Sequence, residues 1–337
     1  WHGQRQMDPR KLAALPEEQR AKLLAEDAKS AGEHWRCEGG ELINDGHGAY
    51  LTTDKDYGDA VFWLEYKTVA GADSGIYLRG VPQVQIWDYT EAGGKWNLGA
   101  DKGSGGLWNN KVNERFPPAC YDKPFGEWNQ LSVMIIGERV WVRLNGHTTV
   151  NGVRMENYFD RSSPLPKTGP LQLQTHGGEI RFRNLRVREL PGDEANQFLA
   201  SSDFYTYMPA FDGSTFTGWQ GSVDNYEIVD GAIRCKQGKG GNLFTKEVYE
   251  DFSVRLQFRV PPGGNNGLAM RYPGNGDPAY AGFELQVLDN TAEKYAALKP
   301  YQYHGSAYGM AAAHRGYQRP VGEWNFQQVT MVGSHVT

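Results

Sequence analysis

With 337 residues, the chain is longer than one modest core requires, so two domains are the starting expectation. Hydrophobic residues make up 39%, while 42 glycines, 17 prolines and 12% aromatics point to many short strands and turns, an all-β class. A net charge of −5 without a sustained basic stripe argues against nucleic-acid binding, and no run of about 18 apolar residues offers a membrane span.

Trp1-His2-Gly3 opens the chain and recurs as Trp219-Gln220-Gly221, which follows a leader, Phe211-Asp212-Gly213, that the first occurrence lacks. Between Trp1 and Trp35 the spacing exceeds that between Trp219 and Tyr226 by 27 residues, so the first copy carries an insertion. Asp8-Pro9 and Pro16-Glu17-Glu18 suit two helix starts, and Leu12, Leu15, Leu23 and Leu24 give a thin apolar stripe ending near Gly32. A helical hairpin over about residues 8–32, capping a sandwich edge, is expected. Cys37, Cys120 and Cys235 form no CxxC pair, and a Cys37–Cys120 bridge is one candidate pairing.

Val61, Trp63 and Glu65 alternate with Phe62, Leu64 and Tyr66 in strand fashion, as Leu131, Val133 and Ile135 do with Ser132 and Met134. Leu144-Asn145-Gly146-His147 signals a tight hairpin, since Asn-Gly accepts the positive φ angles of a two-residue turn. Ile180, Phe182, Leu185 and Val187 then run beside four arginines. Much of this recurs downstream. Tyr57–Tyr66 aligns with Tyr249–Phe258, and Asp73–Arg79 with Asn265–Arg271, both at an offset of 192. Gln83–Asp88 aligns with Glu284–Asp289 at 201, and Gly126–Asn129 with Gly322–Asn325 at 196. The expectation is therefore two tandem β-sandwiches: residues 1–190 without a first strand, a polar linker over 191–202, and residues 203–337 without closing strands.

In both copies a Gly-apolar-X-X-Arg strand precedes an acid-or-amide, apolar, Gln, apolar, X, Asp strand. If Ile76 and Leu78 face the core, alternation sends Tyr77 and Arg79 outward with Gln83, Gln85 and Trp87, and likewise Arg271, Glu284 and Gln286 in the second copy. Such a row of guanidinium, carboxylate and amide groups can hold many hydroxyls, and Trp87 and Trp108 can stack on a pyranose face. A plain solvated sheet face with a cross-strand ion pair would have the same pattern.

These ordered motifs, with Gly126-Glu127-Trp128-Asn129, Leu144-Asn145-Gly146, Leu173-Gln174-Thr175-His176-Gly177 and Phe182-Arg183-Asn184-Leu185-Arg186-Val187, resemble the 3-keto-disaccharide hydrolase domain family. The resemblance covers nearly the whole chain apart from the insertion and the linker. It implies concanavalin A-like jelly-roll sandwiches, a periplasmic or secreted location, and action on glycosides oxidised at C3.

A C3 ketone acidifies the C2 proton, so a base can form an enediolate and expel the C1 substituent, after which water adds. That needs a base near neutral pH, stabilisation of the enolate oxygen and a proton for the leaving oxygen. Glu284 is the expected base, Arg271 the oxyanion partner, and His304 or Tyr308 the proton donor. A divalent metal held by Glu284 or Asp289 with His304 would supply similar stabilisation, though no HExxH-like spacing supports it. Gln83 stands where Glu284 stands, so the first copy, with His176 as a hydrogen-bonding residue, is expected to bind and the second to catalyse. A non-catalytic carbohydrate-binding module is the alternative, since the fold does not fix function. A two-carboxylate glycosidase fits less well, because Glu284 and Asp289 are five apart on one strand and face opposite ways.

Overall fold

A computed structural model describes residues 1–201 and 207–337 and divides into two compact units, Trp1–Pro191 and Gly192–Thr337. The expected boundary at residues 202 and 203 lies outside the described residues.

The first unit begins with β1 (His2–Gln4), α1 (Pro9–Ala13), α2 (Glu17–His34), β2 (Trp35–Glu38), β3 (Glu41–Asn44) and β4 (Tyr50–Tyr57). It continues through β5 (Ala60–Thr68), β6 (Asp73–Leu78), β7 (Val81–Trp87), β8 (Asn129–Ile136), β9 (Arg139–Leu144), β10 (His147–Arg154), β11 (Gly169–Leu173) and β12 (Ile180–Glu189). These strands form two antiparallel sheets, ordered β1-β4-β11-β6-β7 and β10-β9-β8-β5-β12-β3-β2. Phe62, Leu64 and Tyr66 from one sheet and Ile76, Leu78, Val84 and Ile86 from the other share a single buried core, each at most 4% exposed, while Trp63 between them is exposed. Alternating strand faces thus build a sandwich by burying one row from each sheet. The β9–β10 hairpin turns at Asn145 (φ 51°) and Gly146 (φ 86°), the two positive angles its sequence anticipates.

The insertion is helical. Asp8 caps α1 by accepting from the Arg10 amide, and Pro16 precedes α2. Buried Asp27 of α2 accepts from the Arg5 backbone amide at 2.9 Å and from its Nε at 2.8 Å, pinning the helix beside β1. Gly3 permits that approach, because a Cβ there would overlap the Asp27 carbonyl oxygen. Cys37 and Cys120 are both free thiols, so the candidate bridge does not form.

In the second unit, residues 192–201, expected as linker, form helix α3 (Gly192–Ser201). Its Asn196 is buried and donates to the Trp324 carbonyl at 3.0 Å, so a polar segment became an element of the domain through one satisfied amide. There follow β13 (Trp219–Gly221), β14 (Tyr226–Val229), β15 (Ala232–Cys235), β16 (Leu243–Thr245), β17 (Phe252–Phe258) and β18 (Asn265–Met270). After the short α4 (Pro278–Ala281) come β19 (Phe283–Leu288), β20 (Asn325–Val332) and β21 (His335–Val336). The pairings β13–β16, β14–β15, β17–β20, β20–β21 and β18–β19 repeat β1–β4, β2–β3, β5–β8, β8–β9 and β6–β7. A smaller cluster of Met270, Leu285, Val329 and Met331 forms its core.

Candidate functional site

The two strands that carry the site motif pair in the same register in both units. Gly75 of β6 lies opposite Gln85 of β7, and Gly267 of β18 opposite Gln286 of β19. Each glycine leaves room over its strand. A Cβ at Gly75 would come within 3.0 Å of Gln174 Oε1 and 3.1 Å of Gln83 Cδ, and one at Gly267 would overlap the Glu284 carboxylate.

In the first unit this floor is built around the carboxylate of Asp73, to which the motif by itself assigns no role. β11 pairs with β6 so that Leu173 faces Ile76, and the same register continues beyond the strand: the Gln174 amide donates to Gly75 at 2.9 Å and the Asp73 amide to Gly177 at 2.8 Å. His176 is thereby carried to Asp73. Its Nδ1 stands 3.0 Å from Asp73 Oδ2, an oxygen that also receives Lys95 Nζ at 2.5 Å, while Oδ1 accepts from Gln85 Nε2 at 2.7 Å. Gln85 in turn accepts from Gln83. Burial alone would raise the Asp73 carboxyl, but the hydrogen bonds and charges of His176 and Lys95 hold it below the ordinary range. The His176 imidazole is raised, chiefly by its bond to Asp73. Because a carboxylate only accepts, Nδ1 carries a proton and Nε2 is left as the imidazole's variable site on a largely exposed ring. Gln174 Oε1 is buried with no partner, an unmet acceptor on the same floor.

Gln83, Gln85 and Arg79 are therefore not on an open face: they are 5%, 3% and 3% exposed. The two glutamines bond to each other and to Asp73, and the segment that pairs with the β7 edge, the Gly105 amide donating to the Gln85 carbonyl and the Gln85 amide to that of Gly106, brings Trp108 and Arg115 against Gln85. Arg79 is a different case. The strand ends at Leu78, and Arg79 turns to φ 55°, which redirects its side chain to the carbonyls of Gly58, Gly137 and Pro166 and to Asp59 Oδ1 at 3.1 Å. Arg271 repeats this at φ 49°, donating to the Glu250 carbonyl and to Asp251 Oδ1 at 3.2 Å. In each unit the same aspartate oxygen also accepts a glycine amide, Gly137 or Gly333, at 2.8 Å. Both arginines are loop staples, and the oxyanion role expected of Arg271 is corrected accordingly.

Other expectations are also corrected. Tyr77 is 1% exposed and packs edge-on against Tyr50. Trp87 is buried, its Nε1 donating to Gly103, and cannot stack on a sugar. Trp108 is half-buried, and one ring face is already covered by the Arg115 guanidinium at 3.6 Å. Asp289 accepts from the Thr291 amide, the Thr291 hydroxyl and the Gly263 amide, as Asp88 does from Thr90 and Gly71. These bonds hold its carboxyl low and leave it a turn-former rather than a ligand.

His304 packs against Phe258, and burial pushes its imidazole down to about 4, so near pH 7 it is neutral and lacks the imidazolium proton that a general acid would donate. The Tyr308 hydroxyl accepts from Gln302 Nε2 at 3.1 Å. Gln286 is buried beside Glu284, with its Oε1 unpartnered. Glu284 is half-buried over Gly267, and burial, with the nearby charge of Asp277, raises its carboxyl. Among the described residues, no three His, Cys, Asp or Glu side chains gather as a metal site.

The acid thus changes strands between units: Asp73 and Gln83 in the first, Asn265 and Glu284 in the second. Asp73 was visible as the first residue of its motif. Lys95, in a glycine-rich loop, carried no periodic signal.

Among proteins of known identity, the chain is similar to the 3-keto-disaccharide hydrolase of Bacteroides thetaiotaomicron, 29% identical over 185 residues, 47% of this chain and 63% of the relative. Two solved structures from Parabacteroides distasonis, both provisionally named glycosyl hydrolases, align over 53% and 47% of this chain. They are 20% and 23% identical, with 99% and 91% of their own lengths covered and TM-scores of 0.38 and 0.37. The model of the 3-keto-alpha-glucoside-1,2-lyase-like domain matches residues 22–188 and again 206–337, and the chain belongs to that family.

Proposed function

We propose that the chain cleaves 3-keto-glycosides and that the first unit performs proton transfer through His176. The observation that carries this reading is the Asp73 carboxylate joined to both His176 and Lys95 beneath an exposed imidazole. Neutral His176 has its lone pair on Nε2 and takes the C2 proton. The C–H electron pair passes into the enolate, whose oxygen a cation such as Lys95 stabilises; collapse of the enolate forms the C1–C2 double bond as the C1–O bond breaks. The imidazolium returns its proton to the leaving oxygen, so the group ends as it began. Water then adds to the unsaturated product if the outcome is hydrolysis. Asp73, its oxygens fully occupied, positions the imidazole and supports its charge rather than touching substrate.

A second reading puts the base at Glu284, favoured by the burial that raises its carboxyl toward neutral pH. The test is release of free sugar from a 3-keto disaccharide, with and without chelator, by the wild type, His176→Asn and Glu284→Gln. The expected result is a fall of about 10² to 10⁴ in turnover for His176→Asn, with sugar affinity nearly kept. Loss confined to Glu284→Gln transfers the chemistry to the second unit. A wild type that binds the sugar without cleaving it makes the chain a carbohydrate-binding module.

A further inference from the structure

The segment following Lys95 forms two short 3-10 turns, Trp96–Leu98 and Ala100–Lys102, joined at Gly99 with φ 100°. A Cβ at Gly99 would overlap the Phe116 ring, so the bare glycine lets Phe116 close down on the turn. The result is a groove of about 300 Å³ walled by Trp96, Leu98, Phe116 and Trp108. Trp96, Leu98 and Phe116 are 47%, 43% and 41% exposed, a concentration of large apolar groups that a folded domain ordinarily covers.

Within these walls sits Arg115, whose guanidinium lies 3.6 Å from the Trp108 ring centre and 5.1 Å from that of Phe116. Its Nε is buried without a partner. Asp101, the acid lining the groove, is engaged by Lys102 at 3.2 Å, and Glu156 is engaged by Arg161. A planar cation held by two rings with donors unspent is suited to a two-oxygen anion. Behind the Trp108 and Arg115 wall of the groove, Gln85 and Trp87 pack with no space for a water between them, and Gln85 is the residue that donates to Asp73. The Trp108 and Arg115 wall thus backs onto the residue that holds Asp73, and Lys95 immediately precedes the groove's first turn.

We infer that this groove is the leaving-group subsite and that it takes a uronic acid: the apolar pyranose face against Trp96 and Phe116, the hydroxyls toward the Asp101–Lys102 pair, the carboxylate on Arg115. Its place on the leaving-group side rests on the 3-keto-glycoside reading, whereas the preference for a sugar acid is read by binding alone.

The experiment titrates the whole chain with methyl glucuronide, methyl glucoside and benzoate, by calorimetry and tryptophan fluorescence. Methyl glucuronide should bind at least about tenfold more tightly than methyl glucoside, a margin set by one desolvated charge-assisted contact. Arg115→Gln should erase that margin while melting as the wild type does, and Trp96→Ala, at an exposed position, should weaken both glycosides alike. Equal affinity for glucuronide and glucoside, or a margin that survives Arg115→Gln, overturns the inference. So does benzoate binding as tightly as glucuronide, which would make the site one for aromatic acids. Because neither glycoside is a ketone, failure here leaves the turnover test of His176 standing, and failure of that test leaves this one readable.

Discussion

His176 reaches Asp73 across 103 positions of sequence, Nδ1 to Oδ2 at 3.0 Å, on an oxygen already held by Lys95. The pair is therefore a single titrating assembly with a defined pH window.

Asp73→Asn removes the charge that raises His176, so the imidazole should titrate at lower pH in the variant, as followed by NMR of its ring signals. If His176 is the base, the rising limb of the pH–rate profile moves down with it. Stability follows the same signs. The raised histidine contributes fully below about pH 6.5 and loses its contribution as pH climbs through the folded-state value. The lowered Asp73 contributes above about pH 4 and loses it as pH falls further. The first unit should thus be most resistant to melting between those limits in the wild type, with a flatter pH dependence in Asp73→Asn. An unchanged histidine titration would detach the two residues.

Arg79→Met should destabilise the first unit by about 3–5 kcal/mol, because it strands Asp59 and the carbonyls of Gly137 and Pro166. Arg271→Met should cost the second unit less, since that ion pair is more exposed. Chemical denaturation checks the order. Protein that remains folded should bind sugar normally, and a selective loss of binding would return these arginines to the site.

Gly267→Ala should leave the second unit folded while displacing Glu284, because the new methyl meets the end of a flexible side chain. Freed from burial, the carboxyl should titrate lower, toward its ordinary range, which carbon-detected NMR of Glu284 measures. A carboxyl that stays raised would show that the glycine is not what seats it.

The sandwich was legible wherever local rules act alone. Period-two burial of Phe62, Leu64 and Tyr66, the Asn145-Gly146 turn and the proline-led helices are each decided within a few residues. The site was legible only in part. Alternation sent Arg79 outward because it assumes unbroken extended backbone, whereas the chain turns left-handed at that residue and again at Arg271. It placed Gln83 and Gln85 on one face correctly but could not say what lies over that face. Asp73 and His176 meet through the β11–β6 register, and nothing within either segment announces a partner so far away.

The exchange of acids between matched strands bears on how such a gene can change. Asp73 and Gln83 stand on β6 and β7, Asn265 and Glu284 across β18 and β19. Gene conversion that copies one strand but not its neighbour would leave one site with two amides and no carboxylate, or with two carboxylates crowded on one floor. The joint between the strands is only Arg79 and Gly80 in the first copy, but residues 271–282 in the second. Recombination between the repeats therefore preserves one acid per strand pair only when both strands travel together, which makes this pair of strands the smallest heritable unit that keeps its acid.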